Sequence, residues 1–111
     1  MTPLYDVLSV WPIIGNGANQ LSPRRAKLAM ALRSKNTHYH LHEIHTRHWQ
    51  TLAQQSGVPD AFDHMVALVL QVPDALDRAA AQLPAGFPQR VFKPIRAGIL
   101  AQAEKFIAEL P

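Results

Sequence analysis

The stretch KLAMALRSKNTHYHLHEIHTRHWQTLAQQSG, residues 27–57, changes its hydrophobic period partway along, and that change decides the fold. In its first part Leu28, Met30 and Leu32 alternate with Lys27, Ala29, Ala31 and Arg33, the period of two that a half-buried strand requires. Across the polar turn Arg33-Ser34-Lys35-Asn36 the alternation resumes. Tyr39 and Leu41 fall on one side there, and His38, His40 and His42 on the other. This predicts a hairpin of 27–32 with 37–41. From about His42 the spacing becomes three and four, through Leu41, Ile44, His48 and Leu52, and Gly57 supplies a stop just past the last turn. The stretch reads as a β-hairpin that feeds a helix.

Upstream of the hairpin, Ser22-Pro23 combines an N-cap residue with a proline at the first helical position, which predicts a short helical turn. Gly15-Asn16-Gly17-Ala18-Asn19 is a loop, because Gly and Asn tolerate the positive φ of tight turns. The segment Pro3-Leu4-Tyr5-Asp6-Val7-Leu8 turns apolar at once, with no capping residue, and reads as the end of a buried strand whose partners lie elsewhere. Downstream, Asp60 is placed to cap a second helix with Phe62, Met65, Val66, Val69 and Val72 on its apolar face. Pro73 interrupts the ladder while Leu76, Ala79, Ala80 and Leu83 continue the stripe. This predicts either a kinked helix from 61 to 83 or two helices meeting at a capping Pro73-Asp74. Pro84 to Pro88 forms a corner. A last helix then buries Val91, Ile95, Ile99, Ala103, Phe106 and Leu110, with Pro94 bending its first turns. The fold class expected from the residues is mainly α, with a short β-hairpin near the N-terminus.

Composition agrees with a folded domain. The 111 residues are 48% hydrophobic and 17% charged, which excludes a disordered polyelectrolyte. There is no cysteine, so disulfides and thiolate metal sites are excluded and an intracellular protein is the simpler reading. The first residues lack the basic start and cleavage site of a signal peptide, and no apolar run reaches the about 18 residues of a membrane span. The expected location is the cytoplasm. The net charge of +3 permits acidic partners, but Arg24, Arg25 and Lys27 form the one basic cluster.

Five of the six histidines lie between residues 37 and 49. His38, His40 and His42 have strand spacing, and His42, His45 and His48 are three apart; neither matches the i, i+4 pair of a helix-borne zinc site. The first set is expected on the solvent side of the hairpin. His48 shares the apolar stripe with Ile44 and Leu52 and is expected to be buried and hydrogen-bonded to backbone. A His-rich metal-binding domain stays as an alternative, one that predicts stoichiometric bound zinc.

TPLYDVLSVWPIIG (2–15), KLAMAL (27–32), Arg47-His48-Trp49 before a helix and LPAGFP (83–88) before the last helix form an ordered set. In that order they resemble the C-terminal end of HipA-type Ser/Thr protein kinases, the toxins of type II toxin–antitoxin pairs. The similarity runs through nearly all 111 residues. It implies that residues 1–111 form one domain, a helical C-lobe subdomain of a protein-kinase-like fold, without the N-lobe or the catalytic loop. It also implies that Asp6 corresponds to the metal-binding Asp of the kinase DFG motif, which holds Mg²⁺ against the phosphates of ATP in the intact enzyme. The family's catalytic loop, D-G-H-x-K-N, has no counterpart in these residues. Phosphoryl transfer rests on positioning and electrostatics among those parts, so this chain alone is not expected to catalyse it and carries no catalytic residue of its own.

The resemblance implies as partners a HipB-like helix-turn-helix antitoxin or the remainder of the kinase, and a protein substrate for the intact enzyme. In the family the C-terminal region touches the DNA backbone, which needs exposed Lys or Arg. Gln54 and Gln55 end the predicted 42–56 helix where basic residues are needed, which speaks against direct DNA contact; Arg24, Arg25 and Lys27 are better placed for it, but a solvated basic face is the leading reading of them. Two readings follow. The chain is the C-terminal portion of a kinase, expressed alone or encoded as a truncated gene, or it is a freestanding helical module that binds an antitoxin or a separately encoded kinase half. On either reading Leu4, Tyr5, Val7, Leu8 and Trp11 are expected to form an exposed apolar patch that favours a homodimer.

Overall fold

A computed structural model describes Ser9, residues 11–33 and residues 37–111. Asp6 and the apolar residues Leu4, Tyr5, Val7 and Leu8 lie outside the described residues. Trp11–Ile13 forms a 3-10 turn. The loop after it is closed by Gly15 N–H donating to the Leu21 carbonyl at 2.9 Å and Leu21 N–H donating to that of Ile13 at 2.7 Å. Ser22 then starts one tight turn, its carbonyl accepting from Arg25 and Ala26.

Strand β1, Lys27–Arg33, pairs antiparallel with β2, Thr37–His40. The hairpin is present, but its register is not the simple one that alternation suggests. Arg33 faces Thr37 and Leu32 faces His38, yet Lys27 faces His40, so the register shifts between Lys27 and Leu32, with more residues on β1 than on β2. Opposed residues share a face, so His38 lies on the side of Leu32, which is buried.

The expected helix from His42 begins later. Leu41 N–H still donates to the Ala26 carbonyl at 2.8 Å, which extends the ladder, and Leu41–Glu43 then makes a 3-10 turn. Ile44 and His45 are extended, and helix α1 runs Thr46–Ser56. Ile44 is buried all the same, from the connection and not from the helix stripe. Gly57 ends α1 at φ 72°, the left-handed cap that its lack of a Cβ allows.

Helix α2, Ala61–Leu70, and helix α3, Val72–Gln82, are two helices meeting at Gln71, not one kinked helix. Pro73 sits in the first turn of α3, where its missing N–H has no intrahelical acceptor to lose. Asp74 occupies the same turn, where its charge suits the helix dipole, but the capping position is Gln71. Asp60 does not cap α2 through its side chain. It takes a left-handed conformation, φ 56°, after Pro59, and only its carbonyl takes part, accepting from His64 at 3.0 Å. Helix α4, Gln89–Ala108, follows the corner at Pro84–Pro88 and contains Pro94 without ending there.

Helices α1, α2 and α3 and the Trp11 turn pack around α4, and the hairpin packs on α1 through β1. Phe62 and Phe106 join α2 to α4 with ring centroids 6.0 Å apart, and Arg96 of α4 pairs with Asp77 of α3 at 2.8 Å. The core is thin. Its buried apolar residues are Ala26, Leu32, Ile44, Ala53, Leu76 and Ala103, and among the described residues the largest side chain fully removed from solvent is Thr46. The apolar faces of α2 and α4 are mostly half-buried, and α2 has no buried residue.

Candidate functional site

Of the residues expected to form an apolar patch, Trp11 is the one among the described residues. It is half-buried, and its indole lies against Gly98 of α4 so closely that a Cβ at residue 98 would overlap the ring. A glycine in mid-helix is costly by propensity, and this close approach is its reason. Beside this contact runs an apolar groove of about 600 Å³ between the hairpin, α1, α2 and α4. Trp11, Trp49, Met65, Val69, Ile99 and Phe106 line it. Leu68, on its α2 wall, is 66% exposed, so the groove is open on that side.

The polar end of the groove is where α1 begins. Thr46 donates its hydroxyl to the Phe106 carbonyl at 2.7 Å. His45 Nδ1 lies 2.7 Å from Glu109 Oε2, and Lys105 Nζ donates to the His42 carbonyl at 3.3 Å. Three contacts thus tie the first turn of α1, and the chain entering it, to the end of α4. No sequence spacing joins residues 45 and 109, which meet only because α4 returns beside α1.

His48 is buried and bonded to backbone, as its place on the stripe suggested: its Nδ1 accepts the His45 N–H at 2.9 Å. Burial first, and then His38, Arg47 and His45, hold its pKa below the ordinary histidine value of 6.5, with Glu109 acting the other way. The solvent-side expectation fails for His38. Its ring stacks on His48 at a centroid distance of 3.9 Å and an interplanar angle of 23°, because the hairpin register puts it on the Leu32 face. His40 and His42 flank the exposed Glu43 at 3.8 and 3.7 Å. Among the described residues no three His, Asp or Glu side chains are gathered as a metal-ligand group.

Arg24, Arg25 and Lys27 are all exposed on and beside the Ser22 turn, and Gln54 and Gln55 are exposed at the end of α1. No described helix is long and apolar enough to cross a membrane. No family model matches the chain, and no curated protein matches it.

Proposed function

We propose that this chain is the C-terminal helical segment of a HipA-like Ser/Thr kinase, a segment that offers Asp6 for Mg²⁺ and an apolar docking surface to the rest of the enzyme. The observation that carries the reading is the ordered set of motifs, from TPLYDVLSVWPIIG to LPAGFP, spread over nearly the whole chain. The mainly helical fold is in keeping with a kinase C-lobe piece. So is the thin core, since a helical subdomain that completes its burial against a larger lobe leaves its own apolar faces half-covered.

Magnesium held by Asp6 would neutralise phosphate charge in the intact enzyme; the base and the second metal ligand belong to the family's catalytic loop. The chain by itself is accordingly a structural and metal-positioning element. Mixing it with a separate polypeptide that bears the kinase N-lobe and catalytic loop tests this directly. Phosphoryl transfer to a protein substrate is expected to appear in the mixture and to vanish with Asp6→Asn. A mixture without transfer would reject the reading. Calorimetric Mg²⁺–ATP binding by the chain alone, lost in Asp6→Asn, would reject its inactivity in isolation.

A second reading, a freestanding interaction module, is favoured by one observation: Val58, Leu68 and Leu70 are 56%, 66% and 59% exposed around α2. On that reading the chain binds a HipB-like antitoxin with no kinase half present, which a pull-down with the purified antitoxin decides.

A further inference from the structure

Neither reading of the function uses the one buried histidine. His48 is 3% exposed, and its Nδ1 accepts the His45 backbone N–H. An imidazole that accepts at Nδ1 is neutral and carries its proton on Nε2. The titratable and charged groups facing it are His38 from β2, His45 just before α1, Arg47 from α1, and Glu109 just past α4. Three of these four oppose a positive charge on His48. The fourth, Glu109, is already 2.7 Å from His45 Nδ1.

We propose that His48 is an acid-sensitive latch: neutral, it holds the first turn of α1 against β2 and the end of α4, and on protonation it lets them part. The proton goes to Nδ1, so an N–H then faces the His45 N–H and the bond that caps α1 is lost. The new charge lies under the stacked ring of His38, where there is little water to screen it. His45 loses the backbone anchor that aims its ring at Glu109, and the neighbouring Thr46 bond to the Phe106 carbonyl loosens with it. Hairpin, α1 and α4 are therefore released by one event, and the polar end of the groove opens.

The sign follows from proton counting. Unfolded His48 binds its proton near pH 6.5, and folded His48 binds it only at lower pH. Between those values the unfolded state holds more protons, so stability is full above about pH 6.5 and falls as the pH drops through the folded value. One proton changes the folding constant by at most about tenfold per pH unit. The window lies above that of most carboxylates, about pH 4, which keeps the two effects separable.

Urea unfolding of the full chain from pH 8 to pH 5 is the test, with His48→Asn and His64→Asn as variants. Asn keeps an acceptor near the Nδ1 position and does not titrate. His64, exposed on α2, serves as the control. The expected result is a folding constant that falls below pH 6.5 in the parent and in His64→Asn but stays flat in His48→Asn. A flat parent, or the same slope in His48→Asn, overturns the latch. Should His48→Asn not fold, NMR of the parent decides. Titration of the His48 ring below pH 6.5, in step with faster exchange of the His45 amide, is expected. Titration at or above 6.5, or a His45 amide protected throughout, overturns it.

Discussion

Gly98 and Gly57 are both kept from carrying a side chain, for opposite reasons. At Gly98 the backbone is ordinary helix, and alanine there should stabilise by propensity, about 1 kcal/mol. The Trp11 ring occupies the space, so Gly98→Ala is expected to destabilise instead, by about 1–3 kcal/mol, the usual range for overpacking. Chemical denaturation of Gly98→Ala in the parent and in a Trp11→Ala background checks the cause. The penalty should disappear or reverse once the ring is gone, and a penalty that survives would place the reason elsewhere. At Gly57 nothing lies within 4 Å of an added Cβ, but φ is 72°. Gly57→Ala should cost about 1 kcal/mol whatever stands at residue 11, because the cost is the left-handed backbone alone.

Between elements, the joint of α1 with α4 depends on Thr46, which is 2% exposed and gives its hydroxyl to the Phe106 carbonyl. Thr46→Val keeps the shape and leaves that carbonyl without its donor, at a cost of about 1–3 kcal/mol. In a thermal melt each kcal/mol corresponds to about 4–8 °C for a chain near this size. Thr46→Ser should retain most of the midpoint, and a loss equal to that of valine would mean that the methyl packing, not the hydrogen bond, is what matters. The Arg96–Asp77 pair between α4 and α3 is a contrast. Asp77 is 66% exposed, so Asp77→Asn should change stability by less than about 1 kcal/mol, and by less still in high salt.

For the whole molecule, the unanswered surface is that of α2 with the groove beside it. Leu68→Lys together with Leu70→Lys should leave the unfolding midpoint almost unchanged, within about 0.5 kcal/mol per site, since both side chains already face water. The same pair should abolish phosphoryl transfer in the mixture with the kinase half. Stability and complementation falling together would indicate that α2 is part of this chain's own core, not a surface awaiting a partner.

Local pattern was enough for the elements that local forces control. The change from period two to period 3.6 located the hairpin and the helix after it, Gly57 marked the end of α1, and Pro84–Pro88 marked the last corner. The apolar stripe of α4 and the burial of His48 were also legible, because each follows from spacing on a single helix. What depends on distant partners was not. The start of α1 moved to Thr46 because Ala26 captured the Leu41 amide. Asp60 took a turn conformation where its type suggested a cap. His38 went to the inner face because the turn sets it opposite Leu32, a pairing that alternation within each strand does not reveal. Glu109 met His45, and Trp11 met Gly98, through the return of α4 across the molecule. Periodicity acts over a few residues and is written into the chain. Register and helix return are set by which long-range contacts exclude the most water at once, and only the folded structure decides them.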